Sequence, residues 1–491
     1  LVFEKISIFA LMNILFTHAY FLCDDPKEQV IMKPYPPLGL LCLSAWLEQH
    51  GVENTVFDTT FSEFTALQTY LLQHQPRIVA IYANLMTKIR LIELVRFIRG
   101  QEALKATFIV LGGPDVTHNA ADYLAIGTDA IVIGEGEQTM LELVRAVLED
   151  KSPLSESFKP SKILWGRLFQ IDGLAFRLPD GSVHRTAARE KLRNLEDLPI
   201  PARDKIDLQR YLDAWKRRHG HNAISISTQR GCPYTCRWCS TAVYGQSYRR
   251  RSPQKVADEI AHLQQQYDFD LIWFVDDVFT VSHKWLSEFH EVLKKDNLTV
   301  RFECITRADR LNESVIQLLR ECGCFRVWIG AESGSQRILD AMDRRVDARQ
   351  VRAMIQTARR EGIQAGTFIM LGYPGETEAD IRETVHHLKE SNPDLFTITV
   401  AYPIKGTGLY EEVEATTGSA LPWDQYTDRD LDFKRTYPRR YYDAAVRWTV
   451  NAVHWHKAQI NGRAFSPSGL KFFGKMVLAR GAMAYYRQIG S

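Results

Sequence analysis

Over most of residues 13 to 400, short runs of apolar and β-branched residues alternate with stretches of helical spacing, in two separate series. Strands joined by helix-length crossovers must lie parallel, and neither series carries the Asp-Gly or Asn-Gly turns that would join its strands as hairpins. The pattern therefore predicts two parallel sheets flanked by helices. The first series places strands at 13–16, 55–57, 78–83, 108–111 and 130–133, and its last helix shows one apolar face in Met140, Leu143, Val144, Val147 and Leu148. Five such units predict a doubly wound α/β domain over 12–150. Such a domain takes ligands beyond the carboxyl ends of its strands, here Gly112-Gly113-Pro114 and Gly134-Glu135-Gly136-Glu137.

Residues 151–205 interrupt the rhythm with Pro153, Pro160 and a hairpin signal at Pro179-Asp180-Gly181, and read as a connector. The second series has strands at 223–228, 271–275, 300–305, 326–330, 366–371 and 395–400, with helical stretches such as 253–267 and 348–361 between them. Six βα units over 206–407 predict a partial (βα)6 barrel of the TIM type, with its chemistry at the carboxyl ends of the strands. Residues 408–491 read as a helical C-terminal segment. The expected fold is α/β throughout: a Rossmann-like parallel-sheet domain, a partial barrel and terminal helices. A chain of 491 residues, 45% hydrophobic and 24% charged, can bury cores for two or three domains, which excludes a disordered tail.

Eight Cys are too few for a disulfide framework, and three of them stand together in Gln229-Arg230-Gly231-Cys232-Pro233-Tyr234-Thr235-Cys236-Arg237-Trp238-Cys239-Ser240. This CxxxCxxC loop directly follows the first strand of the second series. Three thiolates on one short loop can hold three irons of a [4Fe–4S] cube and leave the fourth without a protein ligand. A structural zinc site is the alternative; it needs a fourth His or Cys, which no neighbour supplies at usual spacing.

The loop and its setting resemble the radical S-adenosylmethionine superfamily. The resemblance implies that the open iron chelates the amino and carboxyl groups of S-adenosylmethionine, and that one electron from the cluster cleaves it to a 5′-deoxyadenosyl radical. An electron donor such as flavodoxin or ferredoxin is then implied. Cys232, Cys236 and Cys239 become the metal ligands, and Trp238 lies by the adenine. Similar motifs close later strands: Val275-Asp276-Asp277, Cys304-Ile305-Thr306-Arg307, Gly330-Ala331-Glu332-Ser333-Gly334 and Gly372-Tyr373-Pro374-Gly375-Glu376. By resemblance Glu332 and Arg307 hold the ribose and carboxylate of S-adenosylmethionine, Asp277 its amino group, and Gly372 lines the same site. The ordinary alternatives are a helix cap or surface ion pair for the charged residues, and a tight turn for Gly372 and Gly375. No Cys follows Cys324, so no auxiliary cluster is expected after the barrel. Cys23, Cys42, Cys322 and Cys324 read as packed thiols, while Cys304 stays open.

The first domain, with Tyr35-Pro36-Pro37-Leu38-Gly39 and the two glycine-rich strand ends, resembles the cobalamin-binding domain that precedes the barrel in one branch of the superfamily. Together the resemblances cover about residues 12 to 410. They imply that Pro37, Gly39, Gly112, Gly113, Gly134, Glu135 and Gly136 line a corrin site, the glycines allowing close backbone approach. There is no DxHxxG sequence, and His18 is an outside candidate for a cobalt ligand. Many members of the branch leave the lower face of cobalt without a protein ligand, and that state is expected here; the alternative is a domain that kept its fold and lost cobalamin.

Two reactions fit these cofactors. One is methylation of an unactivated carbon, with the methyl passing from one S-adenosylmethionine through cobalamin and a second S-adenosylmethionine supplying the radical. The other is a cyclisation or rearrangement, as in the anaerobic porphyrin ring cyclases. Methylation is the commoner assignment in this branch and is the reading adopted; no residue is singled out as catalytic. A carrier without activity would leave the Cys loop purposeless. A primary-carbon radical needs a covered barrel mouth, and the implied corrin would be a large apolar lid.

Charge is uneven along the chain. Residues 431–491 hold eleven Lys and Arg against Asp432 and Asp443, a balance of +9 within a total of +2, so the rest carries −7. The same segment holds eleven aromatics, among them Tyr437, Tyr441, Tyr442, Trp448, Trp455, Phe472, Phe473, Tyr485 and Tyr486. Mixed basic and aromatic helices suit peripheral contact with anionic lipid, or the rim of a pocket for a lipid-like or porphyrin-like small molecule bearing acids. The alternative is helices packed on the barrel with a solvated basic face. No nucleic acid is expected, since no recognised motif accompanies the charge. The apolar run 1–10 lacks a small-residue cleavage site and reads as an over-called start or an extra leading segment rather than a signal peptide. No stretch reaches a membrane-spanning length, and the cytosol is the expected compartment, with peripheral membrane contact through 431–491.

Overall fold

Parallel strands β1 (Ile14–His18), β2 (Thr55–Phe57), β3 (Ile78–Tyr82), β4 (Phe108–Gly112) and β5 (Ala130–Val132) form where the alternation predicts them in the computed structural model. The structure describes residues 13–150, 162–240, 243–418 and 421–489. The run 1–10, Pro153 and Pro160 lie outside the described residues. Two compact units divide the chain: the first runs to Asn222 and includes 241–245 and 421–427, and the second begins at Ala223.

The first sheet is wound both ways, in the order β2-β1-β3-β4-β5 followed by β6 (Leu174–Arg177) and β7 (Val183–Arg185). Those last two are antiparallel and turn at Asp180 and Gly181, so part of the expected connector extends this sheet. Alternate residues divide between its faces. Ile14, Phe16, Ile78, Ala80, Phe108 and Val110 join one core with residues of helices Leu38–Gln49 and Glu137–Glu149. Leu15, Val79, Ile81, Ile109 and Leu111 join the other, with helices Phe64–His74, Lys88–Gly100 and Val116–Ala125. Burial on both sides is why these strands read as unbroken apolar runs. The chain order reverses between β1 and β3, so the ligand crevice of this fold opens at the ends of His18 and Tyr82.

Residues 421–427 pack in the first unit, which the sequence pattern did not indicate. Trp423 meets the ring of Tyr123 edge-on at 4.9 Å. The Lys88 ammonium, buried in the helix, lies 4.3 Å from the Trp423 ring and 4.7 Å from that of Tyr426. Arg96 pairs with Asp424.

In the second unit β8 (Ala223–Ile226) starts the sheet. A two-stranded ribbon follows, β9 (Gln229–Arg230) against β10 (Arg249–Arg250). Strands β11 (Leu271–Phe274), β12 (Phe302–Thr306), β13 (Cys324–Glu332), β14 (Gln364–Leu371) and β15 (Leu395–Val400) then add in sequence order beside β8, all parallel. Among the described residues β8 and β15 do not pair, so six strands make a partial barrel. Phe274, Phe302, Cys304, Val327 and Ile329 are fully buried on one side of it. Trp273, Ile305, Arg326 and Phe368 face the other side and are only partly covered. Helix Arg439–Ile460 packs on this unit through Tyr441 and Tyr442, and helix Pro467–Ile489 packs along it. No helix among the described residues is long and apolar enough to cross a membrane.

Candidate functional site

The Cys loop is the crown of the β9–β10 ribbon, closed at its base by the pairs Arg230–Arg249 and Gln229–Arg250. Gly231 opens it with φ +80°, and an added Cβ would lie 2.4 Å from both the carbonyl and hydroxyl oxygens of Ser247. Buried Asp276, at the end of β11, accepts from the backbone N–H of Thr228 at 2.8 Å and of Gln229 at 3.1 Å, which fixes the approach to the loop. Within the loop the Cys239 N–H donates to the Cys236 carbonyl, while the Arg237 N–H donates to Met342 O and the Leu409 N–H to Arg237 O. The three thiols therefore sit on an anchored turn at the carboxyl end of the sheet.

No three His, Cys, Asp or Glu side chains among the described residues are gathered closely enough to hold one metal ion. A tetrahedral zinc site draws its thiolates around a single centre, whereas a cube gives each thiolate its own iron. Burial raises the Cys232 thiol pKa. Cys239 is accessible yet ringed by protein, and its pKa is pushed up to about 12 by lost solvation and then by Asp277, Cys236 and Cys232. Without bound cations these sulfurs keep their protons; iron must displace them.

The charged residues assigned by resemblance gather here. Arg307, fully buried, donates from Nη1 to Cys236 Sγ at 3.5 Å and from Nη2 to the Arg344 carbonyl at 2.7 Å, and pairs with Asp309 at 2.8 Å. Its guanidinium lies 3.9 Å from the centre of the Tyr234 ring. Arg344 donates to the same sulfur at 3.6 Å and approaches Glu332 Oε1 at 3.8 Å. Glu332 stands in the left-handed region at φ +63°, beside a register break between β13 and β14. Burial raises its carboxyl pKa, opposed by Arg344 and Arg307. Asp277 is raised likewise by burial and by Asp276. Trp238 packs with Tyr373, Leu409 and Phe433, its ring 5.9 Å from the Arg344 guanidinium.

Other candidates take structural places. Gly372 has φ +80°, its N–H donates to Glu376 Oε2, and an added Cβ would meet Tyr442 and Val400 at 3.3 Å, so it serves a crowded turn. Cys304 is fully buried, and burial and then its neighbour Cys324 raise its thiol pKa. Arg344 stood in no motif, and Tyr234 and Asp276 stood within motifs without a role of their own; the part each plays is recognisable only through what it touches. Further down the partly covered side of the sheet, Glu303 Oε2 accepts from Arg326 Nη1 at 3.0 Å and from Trp328 Nε1 at 3.2 Å, and Trp328 stacks on Phe368 at 4.9 Å.

Glu376 also yields a prediction. It is fully buried, and burial pushes its carboxyl to about 8 from 4.5. A carboxyl raised in the folded state supports folding while protonated; that contribution is complete below about pH 4.5 and lost as pH rises through about 8. Thermal melts should show the midpoint falling between these values, and Glu376→Gln should flatten the fall. An unchanged slope in the variant would refute the assignment.

In the first unit His18 ends β1. The backbone N–H of Tyr20 donates to its Nδ1 at 3.2 Å, and its Nε2 lies 2.9 Å from Asp58 Oδ1. Asp58 also accepts from the Tyr211 hydroxyl at 2.7 Å; although burial raises its carboxyl, these partners hold it down at about 2. Both ring nitrogens are thus engaged inside the protein. Of the glycines, Gly113 is required by backbone: at φ +122° its Cβ would lie 2.3 Å from Ala83 O. Gly39, Gly112 and Gly134 leave at least 3.8 Å around an added Cβ, an open approach to the strand ends. Pro37 precedes helix Leu38–Gln49, and Gly136 precedes helix Glu137–Glu149 with Leu43 3.1 Å from its would-be Cβ. Glu135 is buried and accepts from the Leu192 N–H at 2.9 Å, a structural tie.

Two family models match these two halves. The Radical SAM superfamily model covers residues 226–388 and the B12 binding domain model residues 30–144. This is a cobalamin-dependent radical SAM enzyme. It is similar to an uncharacterized methyltransferase of Pyrococcus horikoshii, 29% identical over 83% of this chain and 85% of that one. It is also similar to the anaerobic magnesium-protoporphyrin IX monomethyl ester cyclase of Rubrivivax gelatinosus, 27% identical over 82% of this enzyme and 70% of the cyclase. Among solved structures, the radical S-adenosylmethionine methyltransferase TsrM of Kitasatospora setae, with cobalamin and a [4Fe-4S] cluster bound, shares the fold. Its TM-score is 0.68 at 18% identity, over 91% of this enzyme and 89% of TsrM.

The residues present fit both groups. Arg307 and Arg344 both donate to Cys236 Sγ, donors suited to the sulfur of a cluster ligand, and Arg344 Nε is buried without a hydrogen-bond partner. In the first unit Gly39, Gly112 and Gly134 leave the backbone uncrowded for a flat ligand's approach, and both ring nitrogens of His18 are engaged within the protein.

Proposed function

We propose that this enzyme methylates an unactivated carbon of a small molecule. The observation that carries the reading is the joining of an anchored three-thiol loop, backed by Arg307, Arg344 and Glu332, to a B12-binding unit whose only strand-end imidazole candidate is locked away from ligand. The methyltransferase names of the Pyrococcus and Kitasatospora proteins support it. When bound, the cluster supplies the electron that cleaves S-adenosylmethionine, and cobalamin carries the methyl group. Cys232, Cys236 and Cys239 hold the cluster. Arg307 and Glu332 orient the carboxylate and ribose of S-adenosylmethionine, Asp277 accepts from its amino group, and Trp238 covers its adenine. Pro37, Gly39, Gly112, Gly113, Gly134 and Gly136 line the corrin site, and Glu135 secures its wall. A low-potential donor such as flavodoxin or ferredoxin supplies electrons, and the segment 431–491 gives the enzyme peripheral contact with a membrane.

The test is the ratio of by-products. Methylation consumes two S-adenosylmethionine molecules, one leaving as S-adenosylhomocysteine and one as 5′-deoxyadenosine. Anaerobically reconstituted enzyme, given reductant and a lipid and porphyrin extract, should form the two in equal amounts, with a deuterated methyl entering the product. Substrate-dependent 5′-deoxyadenosine without S-adenosylhomocysteine would establish the cyclisation reading instead, which the Rubrivivax similarity favours.

The cobalt face has its own prediction. With His18 tied to Asp58 and Tyr20, enzyme loaded with hydroxocobalamin and half reduced should show no nitrogen hyperfine splitting from protein in its electron paramagnetic resonance spectrum. Splitting that vanishes in His18→Ala would show that the lock opens.

A further inference from the structure

We infer that the last helix, Pro467–Ile489, is a docking surface for an anionic lipid bilayer, lying flat with its outward side in the headgroup layer. This deepens, and rests on, the reading of 431–491 as a peripheral membrane contact. One side of the helix is covered: Gly469, Ala479 and Met483 are buried, and Phe472 stacks on His454 of the preceding helix at 5.0 Å. The opposite side is bare. Leu470, Val477, Leu478 and Tyr485 are 52%, 51%, 75% and 59% exposed, and they recur seven or eight residues apart. At that spacing they form one stripe, with Gly474 and Gly481 between them. Phe465, 87% exposed, continues it into the turn before the helix. Single exposed apolar residues are ordinary; a stripe on both sides of one surface helix marks a binding face.

The charges select the occupant. From residue 444 onward the chain has no Asp or Glu. Lys471 and Lys475 stand one turn apart beside the stripe, exposed and without an acidic partner among the described residues. Arg480 and Arg487 instead turn inward onto Glu378, so the cations divide between an inner set that staples the helix down and an outer set left for a ligand. A second copy of this chain, meeting the stripe about a two-fold axis, would bring lysines toward lysines with no acid in reach. An anionic bilayer supplies both complements: an apolar boundary for Leu470, Val477 and Leu478, and phosphates for the lysines, with Tyr485 suited to the headgroup level.

The test uses the full-length enzyme with its cluster reconstituted. Vesicles of phosphatidylcholine with phosphatidylglycerol should sediment it at low salt and release it as salt rises, while phosphatidylcholine alone should not. Lys471→Glu with Lys475→Glu should weaken binding at least about tenfold, on the order expected for two reversed charges near a surface. Leu470→Gln with Leu478→Gln should weaken it too, and both variants should keep wild-type cluster absorbance, which excludes misfolding. Wild-type binding that survives both substitutions overturns the helix assignment while leaving peripheral contact standing elsewhere. Equal binding to neutral and anionic vesicles overturns the charge selection. Failure of the wild type to bind either overturns membrane contact altogether; a concentration-dependent dimer in that case, abolished by Leu478→Gln, would give the stripe to a second copy.

Discussion

Enzyme in which Cys232, Cys236 and Cys239 are all replaced by Ala is expected to carry no [4Fe–4S] absorption after anaerobic reconstitution and to make no 5′-deoxyadenosine. The effect should be complete because each thiolate takes a different iron, and the other thiols of the second unit are buried. Cys304, Cys322 and Cys324 are buried in the barrel wall, and Cys23 lies in the first unit. Cys304→Ala is the matching control: it should alter the melting temperature and leave cluster content alone. Iron and sulfide at wild-type levels in the triple variant would end the assignment of the loop.

Gly231→Ala should come close to the same loss without touching a ligand. An alanine at φ +80° costs about 1–2 kcal/mol from backbone alone. Its Cβ would also sit 2.4 Å from Ser247 O, an overlap relieved only by moving the strand that closes the ribbon. Gly375 makes the comparison clean, for it has φ +76° with nothing nearer than Arg337 Nη1 at 3.9 Å. Gly375→Ala should show the conformational cost alone, a few degrees in melting temperature, with cluster content intact. Gly231→Ala should reduce cluster content at least about tenfold, because the displaced turn carries Cys232 as its next residue. Equal behaviour of the two variants would mean that the ribbon does not position the thiols.

The parallel strands were legible because they are buried on both faces, and a strand such as Ile78–Tyr82 leaves no room for polar alternation. The Cys loop was legible because ligand spacing is local in sequence. What stayed hidden is long-range. Arg344 reaches Cys236 across more than a hundred residues, and its turn, between Asp343 at φ +50° and Arg345 at φ +53°, uses left-handed residues that are not glycine. Gly372 carries two signals at once: it stands in a motif, and its φ of +80° in a crowded turn is a backbone requirement that the motif alone does not reveal. His18 was open from sequence alone, because whether an imidazole is free depends on Asp58 and Tyr20 and not on its own neighbours in a motif. The β6–β7 hairpin was seen as a turn but not as part of the first sheet, since nothing local says which edge a hairpin joins.

The cage that Trp423 and Tyr426 build around Lys88 bears on the order in which the molecule is made. Residues 421–427 belong to the first unit, yet they leave the ribosome about 200 residues after Asn222. At ordinary elongation rates that is on the order of 10 to 40 seconds. During this interval Tyr123 and the Lys88 side chain lack their cover, and the N-terminal unit, first to be synthesised, is the one that must wait. A fragment ending at Asn222 should therefore be prone to chaperone retention, and adding the 421–427 peptide in trans should protect the amides of helix Lys88–Gly100 from hydrogen exchange.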